Sequence, residues 1–101
     1  MKKLLLCLAL LLPVVANANP LCKSNAEVAE TIMKARQAGV TLIRSEELIN
    51  KNFGGTESAN LFVLIARMAY EEPRYSSEYY QQRAVKDFMD KIYLNCLKAV
   101  K

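Results

Sequence analysis

Cysteine is the side chain of this sequence with the most varied chemistry, and it occurs three times, as Cys7, Cys22 and Cys96. The last two lie 74 positions apart. Thiol redox catalysis normally uses closely spaced cysteines, and zinc usually needs four nitrogen or sulfur ligands, which a chain without histidine cannot supply. In an oxidising compartment an even pair of cysteines normally forms a disulfide. We therefore predict a structural Cys22–Cys96 bridge, with no metal and no cofactor.

Other catalytic groups are also scarce. The absence of histidine removes the commonest general base. The carboxylate pairs Glu46-Glu47 and Glu71-Glu72 are adjacent in the sequence, and adjacent side chains on a helix do not face a common point. Covalent haem would need a C-x-x-C-H motif, which the sequence lacks. We therefore predict that the chain is not an enzyme.

The N-terminal segment has the layout of a secretory signal peptide. Lys2 and Lys3 precede an apolar stretch from Leu4 to Val15, and small residues follow up to Ala18. This stretch is shorter than the about 20 residues that a membrane span needs. We expect cleavage after Ala18, which also discards Cys7, and a single periplasmic or secreted domain over residues 19–101 without a membrane span.

Export also changes the charge of the chain. The 14 basic and 10 acidic residues give a formal charge of +4. Removal of Lys2 and Lys3 leaves 12 basic residues against the same 10 acidic ones, so the charge falls to +2. No remaining segment concentrates lysine and arginine without interleaved acids, which excludes a nucleic-acid partner by this criterion.

Polar caps and apolar spacing predict four helices, and the signals for the first two lie between residues 24 and 55. Ser24 and Glu27 form a capping box that starts a helix over about residues 25–38, and Gly39 stands where a left-handed cap is needed. Thr41 caps a second helix with a weaker pattern, which we expect to end by residues 52–55. Its expected inward residues are Leu42, Leu48 and Ile49, with Ile43 left open.

The third and fourth helices carry most of the predicted core. Thr56 caps a third helix, which runs to Tyr70 and ends before Pro73. Its central residues 61–66 are apolar on every side, so we expect other helices to cover it on all sides. Ser76 or Ser77 caps the last helix, which runs to about Ala99. Its expected inward residues are Tyr79 or Tyr80, Ala84, Val85, Phe88, Ile92, Cys96 and Ala99.

These elements predict an all-α fold, a small four-helix domain whose N- and C-terminal segments are joined by one disulfide. Cys96 lies on the inward stripe of the last helix and Cys22 lies just before the first. The bridge therefore requires the first and fourth helices to lie side by side.

The stretch from Arg67 to Tyr80 concentrates residues that dominate binding hot spots. We take five of them as the candidate partner surface, namely Arg67, Tyr70, Arg74, Tyr75 and Tyr79. An ordinary structural role is the alternative. In that interpretation Tyr70 and either Tyr79 or Tyr80 pack at the rim of the core, and Arg67 pairs with Glu71. Within the last helix, the spacing of Asp87 and Lys91 predicts a separate ion pair.

The signal peptide, the two terminal cysteines, the helix A-E-T-I-M-K-A-R-Q-A-G and the segment A-Y-x-x-P-R-Y resemble small exported proteins of bacteria and their phages. The general plan is also similar to that of periplasmic toxin-immunity proteins and of HdeA-type acid-stress chaperones. The resemblance to the exported proteins covers most of residues 19–101 but transfers no activity. From the scarcity of catalytic groups and the stretch from Arg67 to Tyr80 we expect a binding or inhibitor protein acting on a protein partner, such as an immunity or phage-exclusion factor. The alternative is an acid-activated periplasmic chaperone.

Overall fold

A computed structural model describes the backbone of residues 2–100 and the side chains of residues 20–100. The helices are α1 (Lys2–Gln37), α2 (Leu42–Phe53), α3 (Glu57–Glu71) and α4 (Glu78–Ala99), and the described residues form no strand. The predicted all-α, four-helix fold is therefore confirmed. The predicted signal peptide and its cleavage site lie outside the residues whose side chains are described, and they stay predictions.

Helix α1 is the centre of the fold, because both α3 and α4 pack along it and α2 packs on α3. Cys22 of α1 and Cys96 of α4 are paired as a disulfide with their Cα atoms 5.4 Å apart. At the other end, Gln37 of α1 contacts the segment that enters α4. Helices α1 and α4 therefore lie side by side, as the cysteine positions predicted, and they run antiparallel.

The core fills the space between α1 and the helices that pack on it. Met33 of α1 is fully buried, and Phe62 and Phe88 bring the largest rings from α3 and α4. Burial of a side chain of this size contributes about 1.5 to 3 kcal/mol. The other members of the cluster are Ala29, Ile32, Ile49, Ala59, Ile65, Ala66, Ala69, Val85 and Ile92.

Three predicted helix starts and one helix end are confirmed by their hydrogen bonds. The side chains of Thr41, Thr56 and Ser77 each accept from the backbone amide three residues ahead. Gly39 has a φ of +93°, its amide donates to the Arg36 carbonyl, and the next amide, that of Val40, donates to the carbonyl five residues earlier. This pattern is the Schellman motif, which satisfies the last carbonyls of α1.

The predicted start of the first helix is wrong. Ser24 and Glu27 lie inside α1, which begins at Lys2, and the Glu27 carbonyl accepts from Thr31 within the helix. Cys22 and Ala26 are buried, and Cys22 is bonded to α4. A serine cap contributes only about 1 kcal/mol, which tertiary packing of the preceding turn overrides.

Helix α3 is not surrounded, contrary to the prediction from its all-apolar centre. Leu64 is 57% exposed and Leu61 is also exposed. Helix α3 packs on α1 and α2, and two neighbours cannot cover a helix on every side. Leu48 of α2 was also predicted to point inward, and it is exposed instead.

Helix α4 buries a narrower face than predicted. Val85, Phe88 and Ile92 are buried, whereas Tyr79, Tyr80 and Ala99 are exposed. The two tyrosines belong to the first turn of the helix, beyond the stripe that contacts α1. The predicted burial of a tyrosine in this turn is therefore wrong.

The expected ion pair within α4 is wrong as well. Asp87 lies 3.9 Å from Arg83, one turn earlier, and not against Lys91.

Candidate protein-interaction surface

The connection between α3 and α4 is fixed to the end of α1 by the side-chain amide of Gln37. This side chain is only 4% exposed. Its Nε2 donates to the Pro73 carbonyl at 2.9 Å, and its Oε1 accepts from the Tyr75 amide at 2.8 Å. The same Nε2 lies 3.5 Å from the Met33 sulfur. Because one amide holds backbone groups two residues apart, the connection has a defined conformation.

Two arginines strengthen this attachment. Arg36 donates from Nε and Nη2 to the Glu72 carbonyl, at 3.2 and 3.1 Å, while its guanidinium lies over the Tyr70 ring at 5.2 Å from the centroid. Arg74 donates from Nε to the Gln37 carbonyl at 3.0 Å. Both arginines therefore place positive charge at the C-terminal end of α1, where the helix dipole favours it.

Gly39 makes room for the Arg74 guanidinium. A Cβ at this position would lie 3.1 Å from Nη2 of Arg74, and the backbone of Gly39 is left-handed. Any other residue would therefore be strained and would also crowd the guanidinium. The glycine that ends α1 thus also leaves space for the guanidinium of Arg74, which lies in the connection between α3 and α4.

Tyr70, a member of the predicted surface, has a structural role. Its hydroxyl lies 2.6 Å from the Val40 carbonyl, to which it donates, and 2.9 Å from the Ser45 hydroxyl. The ring packs against the core cluster, and Ser45 is itself buried. The structure thus places Tyr70 at the rim of the core, in agreement with the alternative interpretation for this residue.

Arg67 lies on the exposed side of α3 and pairs with Glu46 of α2. Its Nε and Nη2 donate to the two carboxylate oxygens at 3.1 and 3.3 Å. The hydrogen bond with Glu46 and then its charge hold the pKa of Arg67 above the usual value. The expected partner Glu71 is therefore wrong. A largely solvent-exposed pair of this kind contributes little to stability.

The exposed aromatic residues of this region touch one another. The rings of Tyr75 and Tyr80 lie 5.9 Å apart between centroids, and those of Tyr80 and Tyr79 lie 5.1 Å apart in an edge-on arrangement. Their exposed fractions are 38%, 54% and 64% for Tyr75, Tyr80 and Tyr79. We call these three residues the tyrosine ridge. Tyr80 was missing from the predicted surface because its position on the helical stripe suggested burial.

A surface depression adjoins each end of the tyrosine ridge. The first has a volume of about 300 Å³ and the second about 280 Å³. The first is lined by Arg74, Tyr75, Ser76 and Gln81. The second is lined by Tyr79, Gln82, Arg83, Lys86 and Asp87. Gln81 also donates from Nε2 to the Tyr75 carbonyl at 2.7 Å, which ties the first turn of α4 to the connection.

The structure therefore divides the predicted surface. Arg74, Tyr75 and Tyr79 lie together around the ridge, whereas Tyr70 is bound to Val40 and Arg67 to Glu46. Among the described residues, no three histidine, cysteine or carboxylate side chains form a group that could hold a metal ion. The search of these residues for a helix long and apolar enough to cross a membrane found none.

No protein-family model matches the chain, and the comparisons found no similar curated protein and no similar solved structure.

Proposed function

We propose that this chain is an exported, non-enzymatic binding protein that acts by contact with a protein partner through the tyrosine ridge and Arg74. A periplasmic immunity or inhibitor protein is the kind of molecule that this proposal describes. The observation that carries it is a row of three exposed tyrosines in ring contact through Tyr80, with Tyr75 on the connection that Gln37 fixes and Tyr79 and Tyr80 in the first turn of α4.

Exposed aromatic rings contribute little to the fold but much to an interface. Tyrosine and arginine are enriched among the residues that supply most of the binding energy in protein complexes. The cost of ordering side chains on binding is about 0.5 to 1.5 kcal/mol for each flexible side chain. Tyr75 lies on a connection held at both Pro73 and Tyr75, and its ring contacts that of Tyr80 in the first turn of α4, so these rings lose less of this freedom.

Tyr79→Ala is the variant that tests the proposal, because Tyr79 is the most exposed ring of the ridge. Its truncation should change the free energy of unfolding by no more than about 0.5 kcal/mol. At a hot spot it should weaken partner binding by at least about 2 kcal/mol, or about thirtyfold. Leu94→Ala is the matched control, since Leu94 is an exposed apolar residue of the same helix.

The partner is first identified by retention from periplasmic extract on the immobilised, disulfide-bonded chain, followed by mass spectrometry. Its dissociation constant is then measured for the wild-type chain and both variants by calorimetry. A partner that binds the Tyr79→Ala variant as tightly as the wild type would contradict the proposed surface.

The alternative function, an acid-activated chaperone, predicts a different response to low pH. Such a protein should lose its tertiary packing and bind the dye ANS at about pH 2 to 3. A disulfide-linked binding protein should keep its near-ultraviolet circular dichroism in that range and engage one partner at neutral pH. Dye binding and circular dichroism over the same pH series therefore separate the two functions.

A further inference from the structure

The charges beside the tyrosine ridge indicate which partner chemistry it accepts. The two depressions at its ends are lined by the cations Arg74, Arg83 and Lys86 and by one carboxylate, Asp87. Asp87 lies 3.9 Å from Arg83. These two charges offset each other, so each depression keeps one uncompensated cation, Arg74 at one end and Lys86 at the other.

Arg74 is free to bind an anion. Its Nε is bound to the Gln37 carbonyl, but neither terminal nitrogen has an acceptor among the described residues. The guanidinium lies against Gly39, which restricts its orientation. A guanidinium held in this way offers a planar fork that matches the two oxygens of a carboxylate.

Lys86 completes the pattern at the opposite end of the ridge. It is exposed and forms no ion pair with a described side chain. Glu78, in the first turn of α4, accepts a hydrogen bond from Gln82. Glu78 and Lys86 both line the groove between α1 and α4, but they form no ion pair with each other. The two free cations therefore flank an aromatic surface.

We propose that the tyrosine ridge binds an extended acidic segment of its protein partner, with one carboxylate at Arg74, a second at Lys86 and an apolar side chain between them. This inference rests on the proposed function. The ring centroids along the ridge are separated by steps of 5.9 and 5.1 Å. Since an extended chain advances about 3.3 Å per residue, about three residues cover these two steps, and the two acidic residues lie on either side of them.

The probe is the peptide acetyl-Glu-Ser-Leu-Ser-Glu-amide, and its control has both glutamates replaced by glutamine. Each is titrated into the ¹⁵N-labelled, disulfide-bonded chain while amide and arginine Nε–H resonances are recorded. We expect saturable shifts at Arg74, Tyr75 and Lys86 with the glutamate peptide alone. Raising the salt from about 0.1 to about 1 M shortens the Debye length from about 10 to about 3 Å and should weaken this binding.

Arg74→Gln and Lys86→Gln should each raise the dissociation constant of the glutamate peptide at least about threefold, as expected for loss of one exposed charge pair. Lys51→Gln, at an exposed lysine of α2, is the control and should leave it unchanged. Equal binding of the glutamine peptide, equal binding of inorganic phosphate at these residues, or no saturable shift would each overturn the inference.

The two proposals fail in different ways. If a partner depends on Tyr79 but binds an Arg74→Gln/Lys86→Gln double variant normally, the proposed function stands and the acidic-segment inference is wrong. If the glutamate peptide binds as expected but the ridge variants retain every partner, the anion-binding surface stands and the proposed function is wrong.

Discussion

Replacement of Gln37 by leucine tests whether one side-chain amide holds the connection that carries the candidate surface. Leucine is close to glutamine in size and keeps the packing against Met33, but it can neither donate to the Pro73 carbonyl nor accept from the Tyr75 amide. A buried polar group without a partner costs about 1 to 3 kcal/mol. Both bonds are only partly buried, so we take the lower half of this range for each.

The expected loss for Gln37→Leu is therefore about 2 to 4 kcal/mol of unfolding free energy. For a domain of this size that corresponds to a melting temperature about 10 to 30 °C lower. Urea unfolding at constant m-value measures the free energy, and amide hydrogen exchange at Tyr75 reports the bond directly. The Tyr75 amide should exchange faster in the variant.

Gln82→Leu is the matched control, because Gln82 is exposed and its side chain bonds, among the described residues, only to Glu78 within α4. That change should cost no more than about 0.5 kcal/mol. If Gln37→Leu costs no more than this control, or if the protection of the Tyr75 amide is unchanged, Gln37 does not fix the connection and the preorganisation that we infer for the ridge is refuted.

Gln37→Glu adds a pH dependence to the same test. Burial should raise the pKa of the introduced carboxyl above its ordinary value of about 4.3. The protonated form can still donate to the Pro73 carbonyl, so stability is fully present below the unfolded-state pKa and is lost as the pH rises through the higher folded-state pKa. Unfolding measured across this range should show that loss for the variant relative to the wild type.

The remaining predictions concern the disulfide, the core and export. Removal of the bridge by the double change Cys22→Ser and Cys96→Ser should cost about 2 to 5 kcal/mol in urea unfolding, and non-reducing peptide mapping of the wild type should recover the linked pair; two free thiols in exported protein would contradict it. Phe62→Ala should lower the free energy of unfolding by about 3 to 5 kcal/mol, because it leaves a cavity in the core. Leu64→Ala, at an exposed position, should lower it by no more than about 0.5 kcal/mol. Equal losses for the two variants would contradict the burial of Phe62 and the exposure of Leu64. Intact-mass analysis of the exported protein should give the mass of a chain that begins at Asn19. A chain that retains a lipid-modified Cys7 would contradict cleavage after Ala18.

The starts of α2, α3 and α4 and the end of α1 could be predicted because their signals are local. Thr41, Thr56 and Ser77 bond to amides only three residues ahead. Gly39 ends α1 through its own backbone conformation. Bonds of this range form with the helix itself and do not depend on what the helix packs against, so the sequence pattern is sufficient.

The exposure of apolar residues could not be predicted in the same way. Leu61 and Leu64 belong to the most apolar segment of residues 20–100, yet both are exposed. The apolar pattern is consistent with a covered helix, but the number of neighbours depends on how the other helices are arranged. The same reason explains the exposed tyrosines of α4, because in its first turn Glu78 and Gln81, and not Tyr79 or Tyr80, line the groove beside α1.

The sequence by itself determined the helical class, the helix ends with local caps and the pairing of Cys22 with Cys96, because short-range hydrogen bonds and an even pair of cysteines leave few alternatives. Only the tertiary structure decided which polar residues form the candidate surface. Gln37 and Tyr75 are 38 positions apart, and Arg67 pairs across helices with a residue 21 positions away. Contacts at such separations depend on how helices cross, and a one-dimensional pattern does not contain that geometry.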